Sequence, residues 1–338
     1  MDIVFREGDL LETTNNIIFD VKGVIHPPNR VVAFIRYVPE ADGNREKNGI
    51  HYSKYYELSK RYDLLKRKFP QYLVKDKVFN TLLCEVPEKD IKQHYQPALG
   101  LQILRNRNNL DETEISVLRF TEILKVNTGI TWDKLGISGS ILVKLHESSS
   151  DIDLIVYGSK TGCKVAKTMR HMLKNKKPPF EAYDLDGLKE LFDFRSKDTS
   201  VSFEDFVRTD SRKVSHGKFA GKHFFIRFVK DVNEINEQYG DIIYKPEGHA
   251  KIKATVADDS EALFTPCTYK LVNVKIIDGK KFEPIEEIVS FRGRFCEQAK
   301  SGETVIVEGK VERVQQQGKD DHFRLLLGGN PSDHMILV

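Results

Sequence analysis

Alternating apolar and polar positions open the chain. IIFDVKGVIHPPNRVVAFIRYVP carries two runs rich in β-branched and aromatic residues around the turn HPPN, which predicts a β-hairpin or two adjacent strands. The period then lengthens. In YSKYYELSKRYDLLKRKFP, Tyr55, Leu58, Tyr62, Leu65 and Phe69 recur at helical spacing and Pro70 closes the run, predicting an amphipathic helix with a basic outer face. A second helix is expected over 88–105. A third follows in NNLDETEISVLRFTEILKVNTGI, where Asp111 and Glu114 stand at capping-box spacing and Gly129 terminates.

From residue 134 the pattern tightens into strand, turn, helix, strand and helix, an α/β unit. KLGIS reads as a strand, GSILVKL as a turn and a short helix, HESSS as a polar loop and DIDLIVYG as a second strand. KTGCKVAKTMRHMLKNKKPP follows with Val165, Met169, Met172 and Leu173 on one side and Pro178 and Pro179 at its end. Further on, DLDGLKELFDF is expected to be helical and KHFFIRFV a buried strand. Beyond about 251, TYKLVNVKII, EEIVSFRGRF, ETVIVEGKVERV and HFRLLLGG predict four or so short strands, the rhythm of a small barrel or sandwich. The expected organisation is α/β (α+β): an α+β segment with β-rich beginnings over 1–108, a mixed sheet with helices over 109–250 and a β-rich domain over 251–338.

Composition narrows the class without naming a function. A chain of 338 residues, 40% hydrophobic and 30% charged, has the material for two or three soluble globular domains. The opening MDIVFREGDLLETT carries early acids rather than an apolar core, and no stretch approaches a membrane span, so a cytoplasmic setting is expected. Cys84, Cys163, Cys267 and Cys296 are too scattered for a zinc site or a disulfide scaffold, and are expected to be reduced and structural. A net charge of +3 permits a nucleic-acid partner without demanding one.

The candidate chemistry lies in GISGSILVKLHESSSDIDLIVYG. A strand places alternate side chains on one face, so Asp151 and Asp153 point the same way while Ile152, Leu154 and Val156 point the other. Two like charges on one face need a cation. A hard divalent ion, Mg2+ or Mn2+, suits paired carboxylates and commonly shares them with substrate phosphates. Gly139 has no Cβ, so a phosphate can approach its backbone, and Ser140 adds a hydroxyl.

A Gly-Ser pair followed after ten residues by Asp-Ile-Asp, set in strand, turn, helix and strand, resembles the nucleotidyltransferase superfamily that includes DNA polymerase beta and the CCA-adding enzymes. The longer context, HPPNRVVAFIRYVP and EIVSFRGRFCE, resembles a group of archaeal proteins described only as predicted nucleotidyltransferases. The superfamily motif covers 135–158 well and 110–231 loosely. The resemblance implies a nucleotidyltransferase-like mixed sheet over 109–250, a nucleoside triphosphate held at Gly139 and Ser140, and catalytic metals on Asp151 and Asp153.

The family usually adds a third carboxylate on a later strand. Here HFFIRFVKD has Arg227 in mid-strand and its acid only at Asp231, while Glu181 and Asp184 in PPFEAYD are further candidates. An arginine facing the acid pair could replace a metal, so a second expectation is an inactive protein of the same fold that binds RNA or nucleotide. The C-terminal strands are OB-like in size and rhythm. Their Arg292 and Arg294 lie among Phe291 and Phe295, a mixture found where single strands are bound, although the usual burial preferences favour aromatics in the core and arginines in water. His146 lies in the loop between glycine and aspartates. Lys160, Lys164, Lys167, Arg170, Lys174, Lys176 and Lys177 form a basic series that suits either RNA or a solvated helix face.

Overall fold

In the computed structural model, which describes residues 4–175, 178–198 and 200–338, the strands Ile18–Val21 and Arg30–Pro39 pair antiparallel on either side of HPPN. They belong to a sheet whose order runs Arg45–Lys47, Ile50–Lys54, Arg30–Pro39, Ile18–Val21, Leu10–Thr13, Ile91–Tyr95. The amphipathic helix Leu58–Lys68 buries Leu64 and Leu65 against Phe19, Ile35 and Val86. Each such leucine contributes about 2 kcal/mol by leaving water. The helix expected over 88–105 is shorter. Ile91–Tyr95 pairs antiparallel with Leu10–Thr13, and only Pro97–Arg105 is helical, its proline at the first turn where no amide donor is needed.

The second sheet runs Phe180–Glu181, His216–Phe219, Lys222–Val229, Ile152–Tyr157, Leu135–Ile137. The acid-bearing strand Ile152–Tyr157 lies fourth in that order, parallel to the central Lys222–Val229 and antiparallel to the edge strand Leu135–Ile137. One face is closed by apolar packing: Phe120, from the helix Glu112–Thr128, meets Phe180, Phe219 and Phe224 with ring centroids 4.7–5.0 Å apart. Ile152, Leu154 and Val156 are buried there too, and the helix Ser159–Lys174 packs Val165, Met169, Met172 and Leu173 inward. Asp153 therefore looks to the opposite face. Both sheets belong to one compact unit, Met1–Leu73, Cys84–Ala182 and Val214–Ile235.

A second unit comprises Val74–Leu83, Tyr183–Lys213 and Asn236–Val338. Its strands run in the order Ile242–Asp258, Cys267–Gly279, Ile285–Ser290, His322–Leu327, Thr304–Gln316, His334–Leu337. The first strand also pairs with Thr304–Gln316, so the sheet curls back on itself around Ile252, Val256, Tyr269, Val305, Val307 and Leu325. The strand expected through SFRGRF stops at Ser290, whose hydroxyl accepts from the Arg292 amide at 3.2 Å, and Gly293–Phe295 is a short 3-10 turn. The chain is thus a mixed α/β protein with three sheets. Among the described residues no helix is long and apolar enough to cross a membrane.

Candidate functional site

The antiparallel pairing of Leu135–Ile137 with the acid strand ends where the Ser138 amide donates to the Asp153 carbonyl at 2.9 Å. The chain then turns sharply. Gly139 has φ +62°, and a Cβ there would lie 2.0 Å from Asp153 Oδ2, so backbone conformation and space both require glycine. The short helix Gly139–Leu142 follows with Ser140 buried, and the Ser138 hydroxyl donates to the Gly8 carbonyl at 2.7 Å. Gly139, Ser140 and Asp153 are thereby brought together; Asp153 is half-buried on the strand, and Asp151, exposed, immediately precedes it, close enough to act on the Asp153 carboxylate.

The loop leading to Asp151 is held from the N-terminal sheet. The Arg45 guanidinium donates to the Leu145 carbonyl, lies 3.4 Å from Ser150 Oγ and is 3.5 Å from Glu147. Two further cations stand nearby. Arg36, from Arg30–Pro39, and Lys54, at the end of Ile50–Lys54, lie 4.5 Å and 4.4 Å from the Tyr56 ring centroid. Burial pushes the Asp153 carboxyl up from its usual range; Lys54 pulls it back and the neighbouring Asp151 adds to the rise. Burial, with Arg36 and Arg45, brings Lys54 down to about 7, against the pull of Asp153 and Asp151. Lys54 and the acids sense each other without forming an ion pair among the described residues. The Tyr37 hydroxyl, fully buried and pushed up to about 12 by that burial, has no hydrogen-bond partner among the described residues.

The donor set suits a divalent cation. Asp151 and Asp153 are hard oxygen donors, neither is tied to a lysine or arginine, and both open onto the face that bears the orphaned Tyr37 hydroxyl.

Arg227 does not fill this acidic site. It aligns with Ile155, one step along the face from Asp153, but its guanidinium donates to Glu7 and lies 3.8 Å from Asp20. Lys22 completes that network, 3.3 Å from Glu7 and 2.7 Å from Asp20. Burial raises Asp20, yet Lys22, Arg227 and Arg36 outweigh it and hold the carboxyl well below its usual range. Asp231 is not a third carboxylate of the site. It follows Val229, which aligns with Tyr157, and its carboxylate lies against Gly158, so it sits beyond the far end of the acid strand, about 16 Å along from Asp153. There it is ion-paired with Lys134 at 2.6 Å. Glu181 lies three strands away from the acid strand, about 14 Å, on an exposed edge. Asp184 caps the helix Leu185–Arg195 through the Gly187 amide. The position aligned with Asp153 on the neighbouring strand is Phe225.

The remaining sequence candidates have structural partners. His146 Nε2 lies 2.7 Å from Asp111 Oδ2, and ligand atoms of Asp111, Glu114 and His146 fall within 4.8 Å of one another. No ion is needed to explain this cluster. Asp111 and Glu114 form a capping box for Glu112–Thr128, and Arg107 holds Glu114 at 2.6 Å. Asp111→Ala should therefore cost about 1 kcal/mol in denaturant unfolding, the usual loss for an N-cap, with or without added Mg2+. A loss that grows with Mg2+ would mean that the cluster binds metal.

Arg292 and Arg294 share Asp198 at 2.9 Å and 3.6 Å, and Phe295 is buried. Lys160, Lys164, Lys167, Arg170 and Lys174 lie on the outer face of their helix, whereas Lys176 and Lys177 lie outside the described residues. Sequence reasoning missed Arg36, Tyr37 and Lys54. The available signal was one arginine interrupting an otherwise apolar strand run, VVAFIRYVP.

Over 331 residues the chain is 33% identical to an uncharacterized protein, MJ1086, of Methanocaldococcus jannaschii, spanning 96% of this chain and 95% of that one. No family model and no solved structure matches the chain.

Proposed function

The chain belongs to the same family as the Methanocaldococcus jannaschii protein, and we propose that it is a metal-dependent nucleotidyltransferase. An acceptor hydroxyl oxygen bonds to the α-phosphorus of a nucleoside triphosphate, the bond from that phosphorus to the β-bridging oxygen breaks, and pyrophosphate leaves with the electron pair. The hydroxyl proton passes to solvent. The observation that carries this reading is the seat of the Asp153 carboxylate, whose Oδ2 lies 2.0 Å from where a Cβ at Gly139 would be, which puts the Gly-Ser turn and an acid of the pair at one point. Asp151 and Asp153 would hold a Mg2+ or Mn2+ ion, which would supply charge neutralisation for the phosphates. The chain's own groups orient: the bare Gly139 leaves room for the Asp153 carboxylate to sit against the turn, and Arg45 fixes the loop that presents Asp151.

A second reading has its own support. With Phe225 and Arg227 at the aligned positions of the neighbouring strand, no acid there receives the acceptor proton, which favours a nucleotide-binding protein without transfer. An OB-like reading of the C-terminal unit is supported by the parallel pair Ile285–Ser290 and His322–Leu327 within a sheet that curls back on itself. Four free cysteines accord with a cytoplasmic setting.

The test is pyrophosphate release from each of the four α-labelled nucleoside triphosphates, with hydroxyl acceptors that include RNA 3′ ends. Release that requires Mg2+ and vanishes with chelator is expected. If no triphosphate yields pyrophosphate while nucleotide still binds, the second reading replaces the first. RNA held in a chelator-insensitive, steeply salt-dependent way would make RNA the ligand of that second reading.

A further inference from the structure

We propose that the N-terminal sheet supplies the polyphosphate-binding side of the site, with Arg36 and Lys54 as the cations that hold the β- and γ-phosphates and the Tyr37 hydroxyl as an additional donor. This rests on the nucleotide reading above and adds residues that lie outside the strand-turn-strand motif.

Charge and geometry carry it together. Arg36 and Lys54 are half-buried and converge on one ring, Tyr56, at 4.5 Å and 4.4 Å. Two cations brought together out of water repel each other, and each loses hydration that a bound anion restores. Among the described residues neither makes an ion pair or a side-chain hydrogen bond. Neighbouring cations differ in closing onto a partner: Lys22 and Arg227 pair with Glu7 and Asp20, and Arg45 with the loop 145–150, whereas Arg36 acts on Asp20 without forming an ion pair among the described residues.

The acids that face Arg36 and Lys54 stop short of contact. Asp153 feels both cations and Asp151, yet no carboxylate closes onto either nitrogen. Lys54 aligns with Tyr37 across the antiparallel pair and lies 5.8 Å from its ring centroid, so the buried, unpartnered Tyr37 hydroxyl belongs to the same face. A ligand that satisfies all of these groups must offer several anionic oxygens to Arg36, Lys54 and Tyr37 while accepting a cation from Asp151 and Asp153. A metal-bound polyphosphate chain does so. A single carboxylate or a lone metal ion satisfies only one side.

Arg45 is a positioning residue in this scheme. Its bonds to Leu145 and Ser150 hold the loop between the glycine turn and Asp151 at the edge of the strand pair Arg45–Lys47 and Ile50–Lys54 that ends in Lys54.

The experiment titrates inorganic triphosphate into the full-length protein by calorimetry, with and without Mg2+. Arg36→Gln and Lys54→Gln are each expected to weaken binding about 10-fold or more, the usual loss for a charge-assisted hydrogen bond. Lys54→Arg should restore most of it, and Lys164→Gln on the outer basic helix should leave it unchanged. Far-UV circular dichroism and the urea midpoint establish that each variant is folded. Wild-type affinity in both glutamine variants, an equal loss in Lys164→Gln, or no binding by the wild type overturns the proposal. Binding that depends on Arg36 and Lys54 without pyrophosphate release keeps the proposal and removes transfer. Release that is indifferent to both substitutions does the reverse.

Discussion

On the proposed reading, Asp153→Asn should abolish Mg2+-dependent pyrophosphate release, lowering it by more than about 100-fold, because even loss of a group that merely supports a metal ligand costs 10- to 100-fold. The substitution is nearly isosteric, so the packing against Gly139 survives. What changes is charge. Burial and the neighbouring Asp151 make the Asp153 carboxylate costly to ionise, and an amide removes that cost. The variant should therefore be as stable as the wild type, or slightly more so, in urea unfolding without metal, while the stabilisation given by added Mg2+ disappears. Activity and metal linkage lost together from a folded protein identify Asp153 as a ligand. Unchanged release from Asp153→Asn would end the catalytic reading of the acid pair.

Gly139→Ala has the largest expected effect on stability, about 2 to 3 kcal/mol, from a left-handed backbone without glycine and from overpacking. The added methyl would lie 2.0 Å from Asp153 Oδ2, 2.9 Å from its carboxyl carbon and 3.1 Å from its Cβ. A flexible tip alone cannot relieve this, since the strand's own Cβ is inside contact distance. The carboxylate must rotate away from the turn, and the proposed metal site should be lost with it. A urea midpoint close to wild type, with pyrophosphate release intact, would show that turn and strand separate easily. That result would contradict the close approach on which the site is built.

The motif was legible because it is local. Two acids at spacing two on a strand must share a face, and a glycine ending the preceding strand must lie near them if the two strands pair. Asp153 and Gly139 meet as that logic requires. What the sequence left hidden is register and long-range pairing. Asp231 looked like a candidate acid because its strand was recognisable, but only the alignment of Val229 with Tyr157 reveals that it lies past the far end. Arg227 faces the right way and is consumed by Glu7, more than two hundred residues earlier in the chain. Ile91–Tyr95 lost its expected helical state to pairing with Leu10–Thr13, a tertiary override of a short ambiguous run. Arg36, Tyr37 and Lys54 carry no motif, and only the folded chain sets them opposite acids a hundred residues later.

The sheet that holds the acids is finished by a strand made last. Lys222–Val229 inserts between His216–Phe219 and Ile152–Tyr157, some seventy residues after the acid strand itself. During synthesis the acid strand thus has an open parallel edge until residue 229 has cleared the ribosome tunnel, and that wait is one a co-translational chaperone or a translational pause is suited to cover. For the same reason a recombinant fragment ending near residue 200 leaves the acid strand with one neighbour, and is expected to be recovered as inclusion bodies.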